Sequence, residues 1–159
     1  MKLSTMAAKT AAGAAGIAAV SVFSATTAMA EPAIQPFGTP EQLEDGALAT
    51  SYTVSNLGPT NVVIPGYQPQ GKLYQADVTA HADQGTVTPL VNDFNARAAT
   101  STTYHVVNNV PVPGGIPPTP IAQGGQASGK LYFDVTGPPP DGVVYNDGVQ
   151  DVLIWTSKA

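Results

Sequence analysis

The sequence predicts an all-β domain of short antiparallel strands, and three observations lead to this fold class. Along residues 128–137, Leu131, Phe133 and Val135 share one side of an extended chain. The tetrapeptide Gly-Lys-Leu-Tyr within this stretch also occurs at residues 71–74. Turn signals rich in glycine and proline recur roughly every 8–12 residues. A strand with one buried face is the unit of an antiparallel sheet, and the opposite side of this strand carries Lys130, Tyr132 and Asp134.

The first thirty residues have the pattern of a secretory signal peptide. Lys2 and Lys9 form a positive amino-terminal region, the run Thr10–Phe23 carries no charge, and Ala28-Met29-Ala30 is an A-x-A cleavage site. The alternative is a transmembrane helix, but the uncharged run is shorter than the roughly 20 residues that span a bilayer. We therefore expect residues 1–30 to be a signal peptide and residues 31–159 to be the mature domain, secreted, extracellular and free of the membrane.

The mature chain of 129 residues has the size of one domain. It contains eleven acidic residues but only four basic ones, a net charge of −7. Nucleic acids and anionic membranes bind to cationic surfaces, so we expect neither as a partner. The chain contains no cysteine, so there are no disulfides and the core alone must stabilise the fold.

The amino-terminal half of the mature chain is predicted to contain a lead-in and four strands. Glu31–Glu44 is read as an extended lead-in because its three prolines exclude a helix and fit only the edge of a sheet. Leu48–Leu57 is the first strand, and Gly58-Pro59 ends it. Further strands are predicted at Val62–Ile64, Gly71–Ala82 and Gly85–Thr88. In the longest of these, one face is formed by Tyr74, Ala76, Val78 and Ala80.

The carboxy-terminal half combines strands with one long loop. Leu90–Ala98 is the only stretch with a predicted helical turn, and the following residues, Thr102–Val110, are β-rich. Val110–Gln126 contains five prolines and four glycines, which predicts a loop of a length that is usually functional or mobile. Asp147-Gly148 is a two-residue hairpin signal between predicted strands at Val143–Asn146 and Val149–Trp155, and we interpret Trp155 as a core residue of the last strand. Seven to nine short strands with this spacing fit an immunoglobulin-like sandwich or a barrel.

The two histidines are the first candidates for chemistry. His81 and Asp83 form a His-x-Asp pair, but a metal site would need a third ligand that the sequence does not place. His105 has the chemistry of a general base, yet no serine lies in a nucleophile motif and cysteine is absent. We interpret both histidines as ordinary strand residues. The sequence thus predicts no enzyme, and no catalytic, cofactor-binding or metal-binding residue.

Three further features also have simple structural interpretations. The carboxylates of Asp141, Asp147 and Asp151 miss the spacing of a calcium loop and are interpreted as turn and edge residues. Residues 117–120 fit the P-x-x-P form that polyproline-binding domains recognise, but a stiff surface loop has the same composition. Arg97, the only arginine of the mature chain, is expected to pair with a carboxylate rather than to bind an anionic ligand.

Five blocks follow one another along the mature chain: Val63-Ile64-Pro65-Gly66-Tyr67, Gly85-Thr86-Val87-Thr88-Pro89, Phe94-Asn95-Ala96-Arg97, residues 129–138, and Asp151 with Leu153-Ile154-Trp155. Together they resemble the family of small immunogenic, immunoprotective extracellular proteins of mycobacteria. The resemblance covers nearly the whole mature chain and extends to the signal peptide. It implies an immunoglobulin-like antiparallel β-sandwich, export and recognition by the host immune system. It implies no catalytic residues.

The sequence therefore favours a secreted, non-enzymatic immunogenic protein that acts through surface interactions with a protein partner of the host. The alternative is a small-ligand carrier or an unrecognised hydrolase, which requires a pocket converging on His81, His105 or Arg97. The uncharged loop Val110–Gln126 is the candidate contact surface. We also expect a short Gly-Ser linker to replace Pro113–Gly124 without loss of the fold, since loop closure costs only about 0.6 kcal/mol per doubling of length.

The processing prediction is tested by the mass of the exported protein. Because the A-x-A site ends at Ala30, we expect Glu31 to be the amino terminus of the protein recovered from culture medium. Intact-mass spectrometry distinguishes the two forms directly. A secreted product that retains the first thirty residues contradicts the prediction.

Overall fold

A computed structural model describes residues 31–159, so the predicted signal peptide lies outside the described residues and stays a prediction. The described chain forms nine β-strands and one short 3₁₀ turn, Val91–Asp93. The strands are β1 Ala33–Pro36, β2 Pro40–Asp45, β3 Leu48–Pro59, β4 Lys72–Gln84, β5 Phe94–Ala98, β6 Thr103–His105, β7 Gln126–Val135, β8 Pro140–Asn146 and β9 Asp151–Thr156.

The strands form two sheets that pack face to face. One sheet has the order β1-β9-β8-β5-β6, and the other has the order β2-β3-β4-β7. All neighbouring strands are antiparallel except β1, which pairs in parallel with β9. This arrangement confirms the predicted immunoglobulin-like antiparallel sandwich.

Glu31–Glu44, predicted to be only an extended lead-in, contributes a strand to each sheet. β1 and β2 are edge strands, and Pro36 and Pro40 lie at their ends. Proline is tolerated there because an edge position need not donate to the sheet ladder. Between the two strands, the carbonyl of Thr39 accepts a hydrogen bond of 2.8 Å from the indole nitrogen of Trp155. The crossing from one sheet to the other is therefore tied to the core.

The core between the sheets is dominated by aromatic side chains. Phe94 lies edge-on to Tyr52 and to Tyr145, with both ring-centre distances 5.2 Å, and it stacks at 6.3 Å on Trp155. Such pairs add roughly 0.5–1.5 kcal/mol beyond the burial of their area. The prediction that Trp155 lies in the core is confirmed, and so is the burial of the apolar side of residues 128–137: Leu131, Phe133 and Val135.

The two copies of Gly-Lys-Leu-Tyr lie on neighbouring antiparallel strands, β4 and β7. They do not present the same faces. Leu131 faces the main core, whereas Leu73 belongs to a second cluster on the outer side of the sheet. The alternation of apolar residues further along each strand predicts this difference, because a shift of one residue exchanges the two faces of a strand.

A second, smaller cluster covers one end of the outer face of the four-stranded sheet, and the sequence did not predict it. We call it the outer cluster; its buried members are Ile64, Leu73, Val107 and Tyr132. Tyr132, predicted to lie on the solvent side with Lys130, is only 2% exposed. Segments before β4 and after β6 fold over this part of the sheet and contribute Ile64 and Val107. β7 is therefore buried on both faces at its centre.

Several predicted elements in the middle of the chain are wrong in detail. Val62–Ile64 is not a strand, because Ile64 inserts into the outer cluster while Val63 is 80% exposed. Gly85–Thr88 contributes a single β-bridge through Val87. In Leu90–Ala98 the predicted helical turn is present but is limited to Val91–Asp93, and residues 94–98 form β5, since Phe94 and Ala96 point into the core.

The predicted two-residue hairpin is a longer turn. The carboxylate of Asp147 accepts hydrogen bonds from the backbone nitrogens of Val149 and Gln150, at 2.8 and 2.9 Å. These bonds satisfy the turn locally and keep Val149 out of the strand, where it is 82% exposed. β9 consequently begins at Asp151 rather than at Val149.

Glu41 is a buried carboxylic acid on β2. It is 4% exposed, and neither carboxyl oxygen has a partner with hydrogen-bond geometry among the described residues. Burial raises the pKa of Glu41 from 4.5 to about 7, although the backbone of Ile154 acts in the opposite direction. The folded state thus holds this proton more tightly than the unfolded chain. The contribution of protonated Glu41 to the stability of the fold is fully present below about pH 4.5, and it is lost as the pH rises through about 7.

This difference predicts a pH-dependent effect of Glu41→Gln. Glutamine keeps the shape but never ionises, so we expect the variant to be more stable than wild type at pH 8, by about 1–3 kcal/mol. The advantage should shrink towards zero at pH 5. Urea unfolding at both pH values measures it, and Glu44→Gln on the exposed side of the same strand is the matched control. An effect of equal size at both pH values contradicts the prediction.

Candidate interaction surface

The loop Val110–Gln126 is attached along the outer edge of β7. The backbone nitrogen of Lys130 donates to the carbonyl of Gly114 at 2.8 Å, and just before the loop the backbone nitrogen of Val107 donates to the carbonyl of Tyr132 at 2.8 Å. Further along, Val87 and Ile121 exchange two backbone hydrogen bonds of 3.0 and 2.7 Å. The predicted loop is confirmed, but it is ordered by backbone bonds at several points.

This attachment protects a vulnerable edge. β7 is the last strand of its sheet, and unpaired backbone groups on an edge strand form a template for aggregation. Gly114 of the loop supplies a partner for the backbone of Lys130, and Val107, just before the loop, supplies one for Tyr132. The loop residues Ile116 and Ile121 are buried in the main core. The expectation that a Gly-Ser linker could replace Pro113–Gly124 without loss of the fold is therefore reversed: we now expect such a replacement to destabilise the sandwich.

The outward side of the same loop is exposed. We call the four consecutive exposed residues Pro117, Pro118, Thr119 and Pro120 the proline ridge. Beside it, a cleft of about 620 Å³ separates the 3₁₀ turn from the loop. His81, His105 and Arg97 are not among the residues that line the cleft. The pocket that the alternative function required is thus not built around the predicted candidates.

His81 and Asp83 form a structural polar cluster on the outer face of the sheet. The carboxylate of Asp83 lies 2.7 Å from Nδ1 of His81, and it accepts hydrogen bonds from Ser51 at 2.5 Å and from Gln42 at 3.1 Å. The Ser51 hydrogen bond is the main cause that lowers the pKa of Asp83. Because Ser51 binds the carboxylate and not the imidazole, the three side chains do not form a nucleophile-base relay. Together with Gln42, these side chains link strands β2, β3 and β4.

His105 and Arg97 are engaged within the five-stranded sheet. Nδ1 of His105 lies 2.6 Å from the side-chain oxygen of Asn95, its partner on β5. The guanidinium of Arg97 pairs with both carboxylate oxygens of Asp151 across β8, which confirms the predicted ion pair. Burial opposes ionisation of Asp151, but Arg97 and Asn146 outweigh it and lower its pKa. Neither residue points to a substrate site.

The three aspartates considered as a cation cluster lie apart in separate contacts. Asp141 pairs with Lys158 at 2.6 Å, Asp147 holds its own turn, and Asp151 binds Arg97. Over residues 31–159, no three histidine or carboxylate side chains are placed to hold a metal ion. Within the same range, no helix is long and apolar enough to cross a membrane.

The two packed sheets define an immunoglobulin-like β-sandwich domain. The chain belongs to the family described as a domain of unknown function, DUF1942, which matches residues 32–155. This membership accounts for nearly all of the described domain.

The relatives agree with the fold and the predicted family. The chain is 41% identical to the immunogenic proteins MPT63 of Mycobacterium tuberculosis and MPB63 of Mycobacterium bovis, over 98% of this chain and 99% of each relative. The crystal structure of MPT63, described as a secreted protein, matches with a TM-score of 0.77 and 40% identity over 80% of this chain and 98% of that one. The protein is thus a secreted, extracellular member of a family of immunogenic mycobacterial proteins.

A more distant structure shows the fold alone. The yjhA protein of Bacillus subtilis matches with a TM-score of 0.51 at 18% identity, covering 74% of this chain and 84% of that one. At this level of identity the likeness concerns the sandwich and not its surface.

The cleft was not predicted from the sequence. Its walls come from residues 88–93 and residues 107–118, which are separated along the chain and carry no shared local pattern.

The attachment of the loop is tested at Gly129. A methyl group added there would overlap the backbone nitrogen of Ile116, so Gly129→Ala must push the loop away from β7. Overpacking of this kind typically costs about 1–3 kcal/mol. Gly58→Ala is the matched control, because nothing lies within 4 Å of the added carbon and no positive φ is required. Urea unfolding and limited proteolysis of the loop are the measurements. If the two variants unfold alike and the loop stays protected, the loop is not held as described.

Proposed function

We propose that the protein acts, after removal of residues 1–30, as a non-enzymatic immunogenic protein whose proline ridge contacts a protein partner of the host. The observation that carries the proposal is the contrast between the two sides of the loop. One side is fixed to β7 and the core through Gly114, Ile116 and Ile121. The other side presents four consecutive exposed residues with three proline rings.

A ridge of this kind is suited to binding. Proline restricts φ, and the attached base limits the loop further, so less conformational entropy is lost when a partner binds. Residues 110–126 carry no charge, although the domain as a whole has a net charge of −7. The ridge therefore offers an apolar contact surface with no charged side chain that a partner would have to desolvate. Grooves lined by aromatic side chains recognise P-x-x-P segments in this way.

The comparisons support an immunogenic role and suggest no enzyme. MPT63 and MPB63 are named as immunogenic proteins, and this chain shares their full length. A hydrolase would require a catalytic group in a pocket, whereas both histidines lie in structural contacts outside the cleft. A binding role requires only an exposed, ordered surface, and the ridge provides one.

The test is saturable binding of the labelled mature protein to cultured mammalian cells, measured by flow cytometry with unlabelled protein as competitor. We expect Thr119→Lys/Pro120→Ser to weaken binding at least fivefold, because it places a charge on the ridge and removes a ring. Neither residue lines the cleft. The matched control is Thr136→Lys/Pro139→Ser, which makes the same changes at exposed positions. These positions follow β7 in the sequence, whereas the ridge precedes it. The absence of saturable binding, or equal effects of the two variants, refutes the proposal.

A further inference from the structure

The cleft beside the proline ridge has the size and walls of a small-molecule site. Its volume of about 620 Å³ falls in the range of roughly 300–1,000 Å³ that ligand pockets occupy. Most of the lining side chains are aliphatic or proline, among them Leu90, Val91, Val110, Val112 and Ile116. Proline has no N–H, so the proline parts of the wall offer apolar surface without a backbone donor that would need a partner. An apolar body fits these walls.

The walls of the cleft are held in place before any ligand arrives. On one side, Asp93 donates its backbone N–H to the carbonyl of Leu90 at 3.2 Å and closes the 3₁₀ turn. On the other side, Val107 and Gly114 are bonded to β7, and Ile116 is buried in the main core. A preformed site loses less entropy on binding than one that must be ordered by its ligand.

Two asparagine side chains supply the polar part of the cleft. The amide nitrogen of Asn108 donates a hydrogen bond of 2.9 Å to the side-chain oxygen of Asn92, and both residues line the cleft. This bond leaves the amide nitrogen of Asn92 as a donor and the oxygen of Asn108 as an acceptor. The pair can therefore recognise one amide, amine or hydroxyl group of a ligand.

The charge of the cleft excludes anions. Asp93 is the only charged residue among those that line it, and no lysine or arginine does so. The mature domain as a whole carries a net charge of −7. A carboxylate, sulfonate or phosphate entering the apolar walls would lose its hydration without gaining a cationic partner. The site thus discriminates against anionic amphiphiles of the same shape.

We propose that this cleft is a binding site for a neutral apolar molecule that carries a single hydrogen-bonding group. The ligand places its hydrocarbon or aromatic body against Leu90, Val110 and Ile116, and it directs its amide, aromatic amine or hydroxyl group to the Asn92–Asn108 pair. The site adjoins the ridge: Pro117 and Pro118 belong to both surfaces, whereas Thr119 and Pro120 of the ridge do not line the cleft.

Two fluorescent probes that differ in one group test the chemistry of the site. N-phenyl-1-naphthylamine is neutral, apolar and has one N–H, and 8-anilinonaphthalene-1-sulfonate adds a sulfonate to the same skeleton. We expect the folded mature protein to bind the neutral probe saturably with one site, and the sulfonate at least tenfold more weakly. No saturable binding of the neutral probe, or tighter binding of the sulfonate, overturns the proposal.

A matched pair of variants tests the location. Asn108→Trp should fill the cleft and remove the acceptor, and we expect it to weaken binding of the neutral probe at least tenfold. Asn109→Trp, the neighbouring exposed asparagine that does not line the cleft, should leave the affinity unchanged. Urea unfolding verifies that both variants fold. Equal effects of the two variants place the probe elsewhere and overturn the proposal.

The remaining occupant to be distinguished is a second copy of the chain. Sedimentation equilibrium with and without the neutral probe separates the two cases. We expect a monomer whose mass does not change when the probe binds. A dimer that must dissociate before the probe can enter assigns the cleft to a protein interface and overturns the small-molecule proposal.

Discussion

The fold depends on the burial of β7 from three directions. Leu131 and Phe133 enter the core between the sheets, while Tyr132 between them is buried in the outer cluster. The outer edge of the strand is covered by backbone bonds from residues 107 and 114. Without disulfides the domain has no covalent reserve, so its stability rests on this packing. The loop that carries the candidate surfaces is thus part of the structure that holds the strand.

Glycine makes this close packing sterically feasible. A methyl group at Gly129 would overlap the loop backbone, and one at Gly71 would overlap the carbonyl of Val135. Both glycines open the repeated Gly-Lys-Leu-Tyr sequence, and both stand where another backbone segment approaches closely. The first residue of each copy is therefore glycine for the same steric reason. The leucine and tyrosine that follow are used differently in each copy, because they lie on opposite faces of the sheet.

The sequence predicts those features that depend on local pattern. Alternation places Leu131, Phe133 and Trp155 in the core. Acidic residues greatly outnumber basic ones, so a carboxylate partner is expected for Arg97, and it pairs with Asp151. It does not predict the outer cluster, because an alternating strand carries no sign that a distant segment will cover its polar side. The assignment of Val63 and Val149 to strands is wrong because non-local contacts and turn geometry decide their exposure. Val63 is exposed because its neighbour Ile64 inserts into the outer cluster, and Val149 is exposed because Asp147 closes the turn around it. The cleft lies between two segments, residues 88–93 and residues 107–118, and it has no local signal.

The distribution of charged groups explains why function is sought on the loop. The carboxylates of Asp77, Asp83, Asp134, Asp141 and Asp151 each bind a side chain or backbone group of the domain itself, and the pKa of Asp77, Asp83, Asp134 and Asp151 lies below the usual range. Side chains engaged in this way stabilise the sheets but are not free to bind a ligand. Residues 110–126 carry no charge, and they contribute inner backbone groups and the buried side chains of Ile116 and Ile121 to the fold. Their outer surface and the adjoining cleft are therefore ordered by the fold yet remain available, which is the condition that a binding surface must meet.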